Sequence, residues 1–112
     1  MASWYNKVVD VCEVLDWSVS TPKENDPYWE FEKYSPAGED FCFSIIAKNL
    51  AELKGELQYY YENFDREDHV YELLEAKRNG FRDVPDLDTL VEDSQAIEDM
   101  LEELAMEVNK IK

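Results

Sequence analysis

Apolar residues recur along this chain at two different periods, and the periods divide it into elements. Over residues 4–16, Trp4, Val8, Val11 and Leu15 stand at helical intervals, with Val9 and Cys12 filling the stripe. That spacing predicts an amphipathic helix, with Ser3 as its N-cap. A short strand is expected over 17–21, and the polar run between Pro22 and Pro27 reads as a loop. The period then becomes two. Trp29 and Phe31 alternate with Glu30 and Glu32 ahead of Tyr34, and a return run sets Phe41, Phe43, Ile45 and Ala47 on one face and Cys42, Ser44 and Ile46 on the other. Between them Ser35-Pro36-Ala37-Gly38-Glu39-Asp40 has turn chemistry, Pro fixing φ and Gly accepting a positive one. Because both faces of the return strand carry apolar residues, it is expected at the centre of the sheet, flanked by 29–34 and 17–21.

From Asn49 the helical period returns. Asn49 and Glu52 form an Asx variant of the capping box, and Leu50, Leu53, Leu57, Tyr60, Tyr61 and Phe64 make the stripe to be buried. Asp65, with Asp68 three residues on, opens a further helix through Val70, Leu73 and Leu74 to the C-cap signal Asn79-Gly80. After Pro85 a last helix is expected from about 87 to 111, with Leu87, Leu90, Ile97, Leu101, Leu104, Val108 and Ile111 inward and only Ser94 interrupting. The predicted architecture is one α+β domain over 1–112: an N-terminal helix, a small antiparallel three-stranded sheet with its hairpin at 29–47, then three C-terminal helices.

Composition narrows the function classes. The 112 residues carry 27 Asp and Glu against 11 Lys and Arg, a formal net charge of −16, yet 13% are aromatic. Disordered acidic chains lack aromatics, so a folded domain with an acidic surface is expected. Such a charge repels nucleic acid and anionic lipid, which argues against direct binding to either. No apolar run reaches membrane-spanning length, and the N-terminus lacks a secretion signal, so a cytoplasmic location is expected. Cys12 and Cys42 both sit in apolar periodic segments and read as buried, reduced thiols.

Catalytic chemistry finds little footing. His69, the single histidine, is flanked by Glu67 and Asp68 and has no nucleophile motif to serve. Neither Asp83, Asp86 and Asp88 nor Asp65, Glu67 and Asp68 follow the calcium-loop spacing, and one His with two scattered Cys does not make a zinc site. The three glycines stand far apart, which excludes a Gly-rich phosphate cradle. The expectation is a binding protein that is not an enzyme, with no metal and no cofactor.

Charge distribution carries the most specific signal. Between Arg82 and Lys110 there is no basic residue, while Asp86, Asp88, Glu92, Asp93, Glu98, Asp99, Glu102, Glu103 and Glu107 follow one another along the last helix. Asp88–Glu92, Glu98–Glu102, Asp99–Glu103 and Glu103–Glu107 are like-charge pairs at i,i+4, together costing on the order of 1–2 kcal/mol at low salt. Nine carboxylates over roughly 33 Å of helix give about one charge per 3.7 Å, against one per 3.4 Å along a DNA strand. These nine residues are the candidate partner-binding set, displayed in place of phosphates to a basic nucleic-acid-binding protein. A solvated face that prevents aggregation is the competing reading.

A second candidate surface is aromatic. Tyr59, Tyr60 and Tyr61 cannot all turn inward from a helix, and with Tyr28 and Trp29 they form an alternative partner-binding set for an adaptor protein. The 3-4 spacing of the last helix would also serve a homodimer seam, so a monomer or weak homodimer is expected.

The segment Trp29-Glu30-Phe31-Glu32-Lys33-Tyr34-Ser35-Pro36-Ala37-Gly38-Glu39-Asp40-Phe41-Cys42-Phe43, together with Arg78-Asn79-Gly80 and Leu90-Val91-Glu92-Asp93, is similar to small acidic proteins encoded by phages and mobile elements of anaerobic gut bacteria. The resemblance implies an accessory role in a bacterial host and brings no catalytic residues with it. Small acidic proteins of such elements include antirestriction and anti-CRISPR inhibitors, which makes inhibition of a DNA- or RNA-processing host enzyme the leading expectation.

Overall fold

The first apolar stripe forms α1 (Trp4–Val14), which buries Val8 and Cys12. Its C-terminus reverses through Asp16, held at φ 66, while the backbone N–H of Trp17 donates to the Cys12 carbonyl at 2.8 Å and that of Asp16 to Glu13 at 3.1 Å. This pair of bonds is a Schellman closure with Asp where glycine is usual. It sends the chain straight into β1 (Ser18–Ser20), followed by β2 (Tyr28–Tyr34), β3 (Asp40–Ile46), α2 (Leu50–Glu62), α3 (Arg66–Arg78) and α4 (Leu87–Asn109). The computed structural model describes residues 4–20, 27–78 and 86–112. The expected Ser3 cap, the loop through Pro22 and the Asn79-Gly80 stop lie outside those residues, as do Asp83 and the side chain of Lys77. The α+β order is the one read from the periodicities.

The helix starts follow the capping signals. Asn49 Oδ1 accepts from the Glu52 N–H at 2.8 Å while Glu52 Oε2 accepts from the Lys48 N–H at 2.7 Å. Asp65 Oδ1 accepts from the N–H groups of Glu67 and Asp68, at 2.9 and 3.1 Å. Asp86 Oδ1 caps α4 through the Thr89 N–H at 2.9 Å.

The strand order differs from expectation. All pairings are antiparallel and the order is β1-β2-β3, so β2 is central and the return strand β3 lies at an edge. The reason is that all the helical cover lies on one face of the sheet. Phe41, Phe43 and Ile45 are buried beneath it, whereas Cys42, Ser44 and Ile46 alternate outward with Glu30, Glu32, Ser18 and Ser20. Ile46 stays exposed, and its apolar character does not mark a second covered face. For the same reason Cys42 is an exposed thiol and only Cys12 is buried.

Aromatic rings organise the core. Trp29 stacks on Phe31 at 6.2 Å, Phe31 on Phe43 at 5.0 Å, and Phe43 on Tyr60 of α2 at 4.3 Å. Trp17 presents its edge to Phe31 and Phe43, and Lys33 lies 5.9 Å from its ring while donating to the Leu15 carbonyl. Leu53 and Leu57 of α2 and Ile97, Leu101, Leu104 and Val108 of α4 close the core. Ser94, the polar interruption in that stripe, is buried with its hydroxyl donated to the Val91 carbonyl at 2.7 Å. Leu87, expected inward, is 53% exposed. Being the first residue past the Asp86 cap, it lies at the margin of the buried arc.

One carboxylate joins the hairpin to α4. Asp93 is only 6% exposed. Its Oδ2 accepts from the Ser35 hydroxyl at 2.5 Å and its Oδ1 from the Ala37 N–H at 3.0 Å, both in the β2–β3 turn where Gly38 adopts φ 90. The Ser35 oxygen in turn accepts from the Glu39 N–H at 3.0 Å. Removing this carboxylate strands the buried Ser35 hydroxyl and the part-buried Ala37 N–H, so Asp93→Ala is expected to cost about 2–3 kcal/mol, with Asp93→Asn costing less. Thermal unfolding should show a Tm lowered on the order of 5–15 °C for the alanine variant.

Candidate functional site

Helical geometry sorts the nine candidate acids of α4. At about 100° per residue, Asp88, Glu92, Asp99 and Glu103 fall within an arc of about 60° and extend over about 22 Å of axis. All four are exposed. Among the described residues none of the four joins an ion pair, although Asp99 accepts from the Gln95 amide at 3.1 Å. Asp86 is exposed at the N-cap with one oxygen committed to capping.

The rest of the set is dispersed. Glu98 faces Arg66 of α3 at 3.5 Å, and Arg66 also donates to Gln95. Glu102 accepts the Tyr61 hydroxyl at 2.6 Å, and Glu107 is paired with Lys110 at 2.9 Å. Asp93 points inward, three residues after Leu90 and four before Ile97, on the buried arc itself. It is therefore removed from the displayed set as a structural carboxylate. Four carboxylates over about 22 Å give about one charge per 5.5 Å, two-thirds of the density that the sequence count of nine implied.

The aromatic set also divides. Trp29, expected at the surface, is fully buried, because it heads the inward face of β2 and stacks against Tyr5 at 4.9 Å. Tyr60 is half-buried on Phe43, and desolvation followed by the nearby Glu72 charge raises its hydroxyl pKa. The pKa of Tyr61 is raised chiefly by its hydrogen bond to Glu102. Tyr28 and Tyr59 remain open, at 42% and 66% exposure. They line one groove of about 410 Å³ beside Ile46 and Glu56.

Two further constellations emerge in three dimensions. His69 sits 2.7 Å from Glu39, both side chains largely sequestered, with its ring against Phe41 and Phe64 at 5.9 and 5.5 Å. The pair ties α3 to the hairpin turn. On the outer sheet face Cys42 Sγ lies 3.4 Å from both Glu32 Oε2 and Asp40 Oδ1, and the three ligand atoms fall within 4.8 Å of one another. This is the donor set among the described residues that could hold a cation. Desolvation, reinforced by the hydrogen bonds to Asp40 and Glu32 and by their charges, pushes the Cys42 thiol up to about 11. Burial pushes Cys12 up to about 12.

No family model matches the chain, and the searches of curated proteins and of solved structures likewise give no match. No described helix is long and apolar enough to cross a membrane.

A raised thiol pKa leaves little thiolate at neutral pH, so the exposed Cys42 should react with a disulfide reagent at pH 8 about ten- to a hundred-fold more slowly than an ordinary exposed cysteine. The rate should keep climbing toward pH 11, where the thiolate forms. Glu32→Gln with Asp40→Asn should accelerate labelling at pH 8, read by absorbance, while Cys12 stays silent until the protein unfolds.

Proposed function

We propose that this protein is a non-enzymatic binding protein that engages a basic partner through α4, occupying a groove built for nucleic acid in a DNA- or RNA-processing host enzyme. The observation that carries the reading is the outward row Asp88, Glu92, Asp99 and Glu103 on one rigid helix, without a compensating cation among the described residues. Asp88–Glu92 and Asp99–Glu103 are i,i+4 repulsions that lower helix stability, a cost that a docking function would explain. Long-range attraction to a basic groove speeds encounter and falls with salt. With four carboxylates per about 22 Å, the strip matches alternate phosphates of a strand at best. The resemblance to proteins of phages and mobile elements fits an inhibitor of host defence, of the antirestriction or anti-CRISPR kind.

A second reading, an adaptor binding through aromatic residues, is favoured by the shared groove of Tyr28 and Tyr59. It has lost Trp29, which the core occupies.

The two readings separate in one double variant. Glu92→Lys with Glu103→Lys converts both repulsive pairs into acid-to-lysine pairs at i,i+4 and should raise unfolding stability by about 1 kcal/mol. The same variant should weaken capture of a DNA- or RNA-processing enzyme from bacterial lysate by on the order of tenfold or more, and wild-type capture should fall steeply with salt and be displaced by duplex DNA. A partner retained at high salt and lost on Tyr59→Ala would instead support the adaptor reading.

A further inference from the structure

Among the described residues no strand pairs with the outer edge of β3, and that edge is built differently from the rest of the surface. The Ala47 N–H donates to the Pro27 carbonyl and the Ser35 N–H to the Glu39 carbonyl, which fixes the parity of the β2–β3 ladder. Alternate residues of an antiparallel pair exchange both hydrogen bonds, so Phe41, Phe43 and Ile45 spend their backbone groups on β2. The N–H and C=O groups of Asp40, Cys42, Ser44 and Ile46 are directed to the open side. Edges of this kind are normally blunted by shortness, by proline or by lysine. The other edge, β1, has three residues, whereas β3 has seven and contains neither proline nor lysine.

Grooves follow that edge where it meets α2 and α3. At the Ile46 end Tyr28, Ile46 and Tyr59 line the apolar groove of about 410 Å³. At the Asp40 end a groove of about 440 Å³ is lined by Asp40, Asp65, Asp68 and Glu72, and Tyr59 and Tyr60 border both. Among the described residues none of those four acids is in an ion pair; the local histidine is already taken by Glu39.

We propose that the edge of β3 is a strand-addition site for an extended basic segment of a partner protein, its backbone pairing with Asp40–Ile46, its lysines or arginines reaching the acidic groove and an apolar side chain entering the groove at Tyr28 and Tyr59. Main-chain pairing supplies affinity and the alternating side chains supply selectivity. A second copy of this chain is the poorer occupant, because each copy carries a net charge of −16. The site is separate from the α4 strip and does not depend on it.

The test uses fluorescein-labelled octapeptides. One alternates valine and lysine, a second has the same sequence with every backbone nitrogen methylated, so that it keeps the charge and loses its N–H donors, and a third alternates valine and glutamate. The first should bind at least tenfold more tightly than either control, with amide shifts in NMR centred on Asp40, Cys42, Ser44 and Ile46. Ser44→Pro, which removes an N–H from the open side only, should abolish that binding with unchanged circular dichroism. Should that variant unfold, Asp68→Lys with Glu72→Lys, which leaves the Asp65 cap in place, reports independently through a tenfold or greater loss. Equal binding of the N-methylated peptide would reduce the effect to charge and overturn the proposal. Shifts confined to α4 would overturn it as well, as would binding of the glutamate peptide. A concentration-dependent dimer dissolved by Ser44→Pro would assign the edge to a second copy instead.

Discussion

The carboxylate of Asp93 joins the β2–β3 turn to α4 through two directed hydrogen bonds. Its two oxygens take a hydroxyl and a backbone N–H from the β2–β3 turn, and through Ser35 and Glu39 the same chain of bonds continues to His69 on α3. A buried charge is tolerable only when its lone pairs are satisfied, and here the satisfying groups belong to a distant segment. The turn is thereby pinned between the two C-terminal helices, which fixes the Asp40 end of β3 against α3 and gives the acidic groove its walls. The remaining cover of the sheet is apolar and less directional.

Much of this fold could be read from local signals. Asn49 with Glu52 and Asp65 with Asp68 cap helices as their chemistry implies, because such bonds involve only near neighbours, whereas Asp86, read as a partner-binding acid, also caps α4. What escaped sequence reading depended on the third dimension. The two-sided apolar pattern of β3 suggested a central strand, yet Cys42 and Ile46 lie on the uncovered face. The candidate strip on α4 was half legible: Asp88, Glu92, Asp99 and Glu103 are displayed together, but Asp93 was counted with them. Its spacing from Leu90 and Ile97 places it on the inward arc, a signal present in the chain and outweighed by its charge. Trp29 was mistaken in the opposite sense, since its position on the inward face of β2 outweighs its suitability as an interface anchor.

Negative charge in this molecule does at least three kinds of work. It caps helices at Asp65 and Asp86, it cross-links the fold at Asp93 and Glu39, and it accumulates uncompensated on α4 and beside β3. Only the last is costly to the fold. Among the described residues three cations pair with nearby acids: Arg66 with Glu98, Arg78 with Glu75 and Lys110 with Glu107. That allocation leaves the exposed edge of the sheet guarded by repulsion between like molecules, where other proteins use lysine or proline.

The sulfur on that edge completes the guard in a different currency. Cys42 lies in the row formed by Ser18, Glu32 and itself, on the strand where a misdirected second chain would align. A thiolate there would invite covalent trapping of any transient strand-to-strand encounter. By keeping the proton on the sulfur, desolvation together with Asp40 and Glu32 withholds the nucleophile that disulfide exchange requires, and encounters at the edge stay reversible.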